Sequence, residues 1–115
     1  MDKNSFVNYI TEDVLAGLSG VKARAMFGGY GVYRDGQIFG IIVDDELYFK
    51  TGTNNRADYE AAGSKPFSYR SRDRKTVVIS YWQVPDTVLE DRETIEEWAR
   101  RALQVPTKSK LRSSK

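Results

Sequence analysis

VKARAMFGGYGVYRDGQIFGIIVDDELYFKT, residues 21–51, decides the fold. Asp35-Gly36 is the pair that a two-residue hairpin turn favours, because glycine accepts positive φ at no steric cost. IFGIIV, residues 38–43, is a short apolar run, as expected of a central strand whose two faces are both at least partly covered. Asp44-Asp45 makes a second turn into ELYFKT. The stretch therefore predicts a meander of three or four antiparallel strands.

Arg24 to Gly40 holds five glycines interleaved with aromatics. A phosphate-binding P-loop needs Lys-Ser or Lys-Thr after its glycines, and none follows here. A dinucleotide fingerprint opens a helix and needs a third glycine, whereas Gly29-Tyr30-Gly31 is followed by Arg34 and a strand. Gly29-Tyr30-Gly31-Val32-Tyr33 is similar to the aromatic-glycine strand of RNA-recognition motifs. It lacks the basic residue before the first glycine, and the chain lacks the βαββαβ order. The glycines are read as architecture. Gly28 and Gly29 allow a bulge or sharp bend, Gly31 and Gly40 let a ring or backbone approach closely, and Gly36 completes the Asp-Gly turn.

On the N-terminal side, NSFVNYITEDVLAGL (4–18) predicts a helix. Val7, Ile10, Val14 and Leu18 follow the 3-4-4 spacing of one apolar face, with Asn4 or Ser5 as cap. On the C-terminal side, TNNRADYEAAG (53–63) predicts a short helix capped by Thr53 or Asn54 and stopped by Gly63. FSYRS and TVVISYWQV pair as a hairpin across the Arg72–Lys75 loop. Thr94-Ile95-Glu96-Glu97 matches a capping box, and Ile95, Trp98, Ala99, Ala102 and Leu103 form one apolar helix face that Pro106 ends. The expected architecture is α+β: a single antiparallel sheet of about five to six strands, ordered helix, meander, helix, hairpin, helix, with the helices packed on it. Residues 1–105 form one domain, and residues 106–115 are expected to be a disordered basic tail.

The chain has 115 residues, with no cysteine and no histidine. Those two absences exclude disulfides, the usual zinc sites, Ser-His-Asp and Cys-His nucleophiles, and imidazole acid-base catalysis. No apolar run reaches the roughly 20 residues of a membrane helix. The start of the chain does not read as an export signal, so a cytoplasmic location is expected. The net charge of +2 belongs to the tail: Lys108, Lys110, Arg112 and Lys115 stand there without an acid, which leaves 14 basic against 16 acidic residues in 1–105.

Several side-chain groups are candidate sites. Arg70, Arg72, Arg74 and Lys75 sit on a hairpin tip where, with Lys108, Lys110 and Arg112, they are placed to grip phosphates; otherwise they form a solvated turn. Strand alternation sets Tyr48 opposite Phe49 and Tyr81 opposite Trp82, so Tyr48, Tyr81 and Trp82 are candidate interface aromatics unless a helix covers them. Asp44-Asp45-Glu46 reads as a turn rather than a cation site. No catalytic, metal or cofactor-binding residue is expected.

Arg24-Ala25-Met26-Phe27-Gly28-Gly29-Tyr30-Gly31, Asp35-Gly36, Leu47-Tyr48-Phe49-Lys50, Pro66-Phe67-Ser68-Tyr69, Ser80-Tyr81-Trp82 with Val84-Pro85, and Trp98-Ala99-Arg100-Arg101-Ala102 occur in that order. Together they resemble the N-terminal domain of the bacterial TfoX/Sxy regulators of natural competence, over about residues 5–105. The resemblance implies a small α+β domain similar to secretion chaperones, often self-associating. It also implies a transcriptional coactivator that acts with a catabolite-type regulator. Full-length members carry a C-terminal helical domain, and this sequence has a ten-residue basic tail in its place. The expectation is a non-enzymatic, transcription-associated protein-interaction module, possible as a homodimer, with no cofactor and no membrane contact. The alternative is a direct nucleic-acid binder that uses the Arg70–Lys75 loop and the tail.

Overall fold

The computed structural model describes residues 5–26, 28–70, 73 and 75–106; at 70 and 76–78 it describes the backbone. The meander is present as β1 (Val21–Met26), β2 (Gly29–Arg34), β3 (Gln37–Val43) and β4 (Glu46–Lys50). Asp35 and Gly36 have φ of 51° and 86°, and Asp44 and Asp45 have 53° and 61°. Both connections are thus two-residue turns with positive φ at both positions, the geometry that matches strand twist. Gly28, at φ 80°, turns β1 into β2.

After β4 the chain crosses through α2 (Arg56–Ala61) and returns as the hairpin β5 (Pro66–Arg70) and β6 (Thr76–Gln83). β6, not β5, pairs with β4. One antiparallel six-stranded sheet results, in the order β1-β2-β3-β4-β6-β5. The fold is α+β, as the sequence predicts.

Three helix boundaries differ from expectation, each for a local reason. The N-terminal helix is α-helical only over α1 (Ser5–Asn8) and continues as a π-helical turn, Tyr9–Val14. There the Leu15 amide donates to the Ile10 carbonyl, five residues back, at 2.9 Å. The extra residue in the turn lets Val14 and Leu15 both be buried beside Ile10 and Leu18. α2 begins later than predicted because the side chains of Asn54 and Asn55 bond to other backbone groups instead of capping it. The last helix, α4 (Arg92–Leu103), starts before Thr94: Asp91 is the N-cap, and its carboxylate accepts from the Thr94 amide. A short helix, α3 (Asp86–Leu89), precedes it and was not foreseen.

The core lies between the helices and one face of the sheet. Ile10 and Leu15 meet Val32, Phe39, Leu47 and Phe49, with Tyr59 from α2 and Ile95, Ala99 and Ala102 from α4. The β2–β3 register slips between Val32 and Tyr33, which pair with Gly40 and Ile38. Phe39 is the extra residue of this bulge and turns into the core, 5.6 Å from the Phe49 ring. Arg101 ties α4 to α2 by donating to Asp58 Oδ2 at 2.5 Å and to the Asn54 carbonyl. No helix among the described residues is long and apolar enough to cross a membrane.

Candidate functional site

The helices cover one face of the sheet; the other carries a groove. Strand alternation and the observed register determine what stands on it. β1 contributes Lys22, Arg24 and Met26, paired with Tyr33, Gly31 and Gly29 of β2. β3 contributes Ile38, Ile41 and Val43, and β4 contributes Tyr48 and Lys50, which pair with Gln83 and Tyr81 of β6. Phe67 and Tyr69 of β5 and Ile79 of β6 close the far side.

The groove has a volume of about 570 Å³ and an aliphatic floor, with Met26, Ile38, Ile41, Val43 and Ile79 among its lining. The volume falls in the range of ligand and side-chain pockets, roughly 300–1,000 Å³. Met26 and Ile38 of this lining pack over Gly31. A Cβ there would stand 2.9 Å from both the Met26 sulfur and the Tyr33 ring and 3.2 Å from Ile38. Tyr33 lies over that glycine and its hydroxyl donates to Met26 Sδ at 3.9 Å. The Phe67 ring stacks edge-on against Tyr48 at 5.0 Å, and Tyr69 stays 49% exposed. An aromatic ring that open extends the apolar surface of the groove to the edge of the sheet.

The electrostatics of the face are mixed. Partial burial, then the charges of Glu46 and Asp44, push the Tyr48 hydroxyl above its usual pKa. Burial, then Tyr33, does the same to Tyr81. Lys50 is pushed down by burial. Glu46 is held by Gln83, whose Nε2 donates to its carboxylate at 2.5 Å. The Arg24 guanidinium lies 5.7 Å from the centre of the Tyr33 ring, a cation–π contact.

Of the interface aromatics read from the sequence, the structure brings Tyr48 and Tyr81 together on the open face. It places Trp82 on the helix side, packed against the core with Tyr59 at 6.4 Å. Gly28 and Gly36 stand in turns at positive φ, and Gly31 lets Met26 and Tyr33 approach closely; Gly29, expected at a bend, lies in β2, where a Cβ would run into the Ile42 carbonyl. Arg70 ends β5, and Lys75 is exposed beside Asp73 at the hairpin tip. Arg72, Arg74, Lys108, Lys110 and Arg112 lie outside the described residues. Asp44 and Asp45 are turn residues, and among the described residues no group of three or more acidic side chains is placed to hold a metal. Lys22, Phe67, Tyr69 and Ile79 also stand on this face and are not among the contact residues expected from the sequence. Lys22-x-Arg24-x-Met26 was a legible signal, because alternate residues of a strand share a face.

The family model of the TfoX N-terminal domain matches residues 13–105. The chain belongs to the TfoX N-terminal domain family. A search of curated proteins found no match. The matched span runs from the π-helical turn to just beyond α4, so this TfoX N-terminal domain includes the whole sheet and its open face.

Proposed function

We propose that this TfoX N-terminal domain is a non-enzymatic regulatory module, cytoplasmic and transcription-associated, which acts by docking a protein partner on the open face of its sheet. The observation that supports this reading is the aliphatic groove lined on one side by Phe67, Tyr69 and Tyr81, with Tyr48 packed edge-on behind Phe67. Tyrosine supplies a large apolar body and a polar tip at low entropic cost, which is why it is enriched at protein interfaces. An aliphatic floor favours packed side chains over stacked bases, which need planar partners. Competence is the process that the family resemblance makes the first one to examine.

The test is genetic. The gene is deleted in the cell that carries it, then restored as wild type or as the double variant Phe67→Ser, Tyr69→Ser, with folding checked by circular dichroism. The expected result is a changed transcript profile that the wild type restores and the double variant does not. An unchanged profile on deletion refutes the regulatory role, and full restoration by the double variant refutes the docking face.

A further inference from the structure

The inference deepens the reading above, on which it rests, by stating what the partner presents. Both ends of the sheet are edge strands, and they differ. β5 begins with Pro66, which has no N–H to offer, and its register with β6 shifts between Pro66 and Ser68. β1 is regular: six successive residues, Val21 to Met26, pair with β2, with no proline and no bulge. Its outer side therefore presents backbone donors and acceptors at a regular spacing, and no strand pairs with it among the described residues.

Side chains on that edge say what kind of strand fits. Lys22, Arg24 and Met26 project onto the open face at successive alternate positions. Lys22 and Arg24 are exposed, and neither takes part in an ion pair among the described residues. Arg24 lies over the Tyr33 ring, and Met26 is part of the groove lining. Self-pairing is disfavoured. A two-fold antiparallel ladder opposes residues of the same face, so registers centred on Lys22, Ala23 or Arg24 set cation against cation.

We propose that β1 accepts an extended segment of a partner protein as a seventh strand. The segment carries acidic side chains over Lys22 and Arg24 and an apolar one over Met26, entering the groove. Main-chain pairing supplies the affinity, and the charges and the groove set the register.

The probe is a fluorescein-labelled ten-residue peptide of alternating threonine, with two glutamates and one leucine at successive alternate positions. Its companions replace the glutamates by lysines or N-methylate alternate backbone amides. Anisotropy is read on the full chain, on the variant Lys22→Glu with Arg24→Glu, and in parallel with a fifteen-residue oligo-dT. The acidic peptide should bind at least about ten-fold more tightly than the basic one at low salt. The charge-reversed variant should invert that order, N-methylation should abolish binding, and amide shifts on titration should map to Val21–Met26. Equal binding of both peptides, an unaltered preference in the variant, or shifts confined elsewhere overturn the proposal. Binding of oligo-dT alone overturns it in favour of nucleic acid. Should no peptide bind while the Phe67/Tyr69 variant still fails in the transcript experiment, the strand proposal falls and the regulatory reading stands. If that variant restores transcription, the docking reading itself falls.

Discussion

Asn55 is the buried polar residue on which the crossover after β4 turns. Its side chain is 3% exposed. Oδ1 accepts from the Gly52 amide at 2.8 Å, and Nδ2 donates to the Lys50 carbonyl at 3.1 Å. These two bonds fold the chain back at the end of β4, so that the Arg56 amide reaches the Gly52 carbonyl and α2 can start. Asn55→Ala removes both partners at once and leaves a donor and an acceptor with nothing to replace them. Each stranded group costs about 1–3 kcal/mol. Water reaches the half-exposed Gly52, which lowers the sum, so the expected loss is about 3 kcal/mol. For a domain of this size that lowers Tm by roughly 10–15 °C. Asn55→Asp keeps the acceptor but turns a carboxylate oxygen toward the Lys50 carbonyl, and should be no better than alanine at neutral pH. Urea unfolding read by fluorescence of Trp82 and Trp98, which both pack on Tyr59 of α2, measures the loss. A loss below about 1 kcal/mol for the alanine variant, within the range of an ordinary surface substitution, refutes the argument.

Two further predictions concern packing. The Tyr59 hydroxyl is buried without a hydrogen-bond partner among the described residues, so Tyr59→Phe should change stability by less than about 0.5 kcal/mol, or raise it. Burial also pushes its pKa well above the ordinary 10.0, with Asp58 adding and Arg101 opposing. The folded state therefore holds the proton more tightly: this contribution is complete below pH 10 and is lost as the pH rises above it. Wild type should lose stability on alkaline titration more steeply than Tyr59→Phe; parallel curves would contradict this. Gly40→Ala should cost about 2–3 kcal/mol, because its Cβ would meet the Tyr48 carbonyl oxygen at 2.9 Å and the Phe49 ring at 3.1 Å. Gly36→Ala, with no neighbour within 4 Å but a φ of +86°, should cost about 1 kcal/mol. Chemical denaturation of the pair checks the order, and equal losses would remove the distinction between crowding and backbone strain.

The open face makes the two sides of the sheet unlike. On the helix side, Phe39, Phe49 and Ile42 are sealed by Ile10, Leu15 and Ile95. On the other side the same strands present Ile38, Ile41 and Val43 to a groove. Ile41 is buried on that side too, at 9% exposure, because neighbouring side chains on the face shield it. An apolar side chain placed in the groove would bury the part of Ile38, Ile41 and Val43 that is still wet, and that burial would supply the attraction.

Local chemistry carried the elements. Asp35-Gly36 and Asp44-Asp45 specify their turns because the backbone conformation that two-residue hairpins need is one that only a few residue types tolerate. The apolar run 38–43 specifies a central strand because both of its faces must leave water. The family was legible for a related reason: its motifs lie at turns, close approaches and core positions, where substitution is restricted. The sequence was silent on what depends on distant segments meeting. It did not decide that β6 rather than β5 lies beside β4, because pairing within a hairpin leaves either strand free to be the outer one; Pro66 at the start of β5 was the local hint that β5 is the edge. Nor could it say that helices cover Trp82 but not Tyr81, because alternation assigns two faces without naming the one that is buried. Lys22, Arg24 and Met26 were visible as alternating residues. Only the assembled sheet, by placing their strand at its edge and its helices on the opposite face, made them a candidate site.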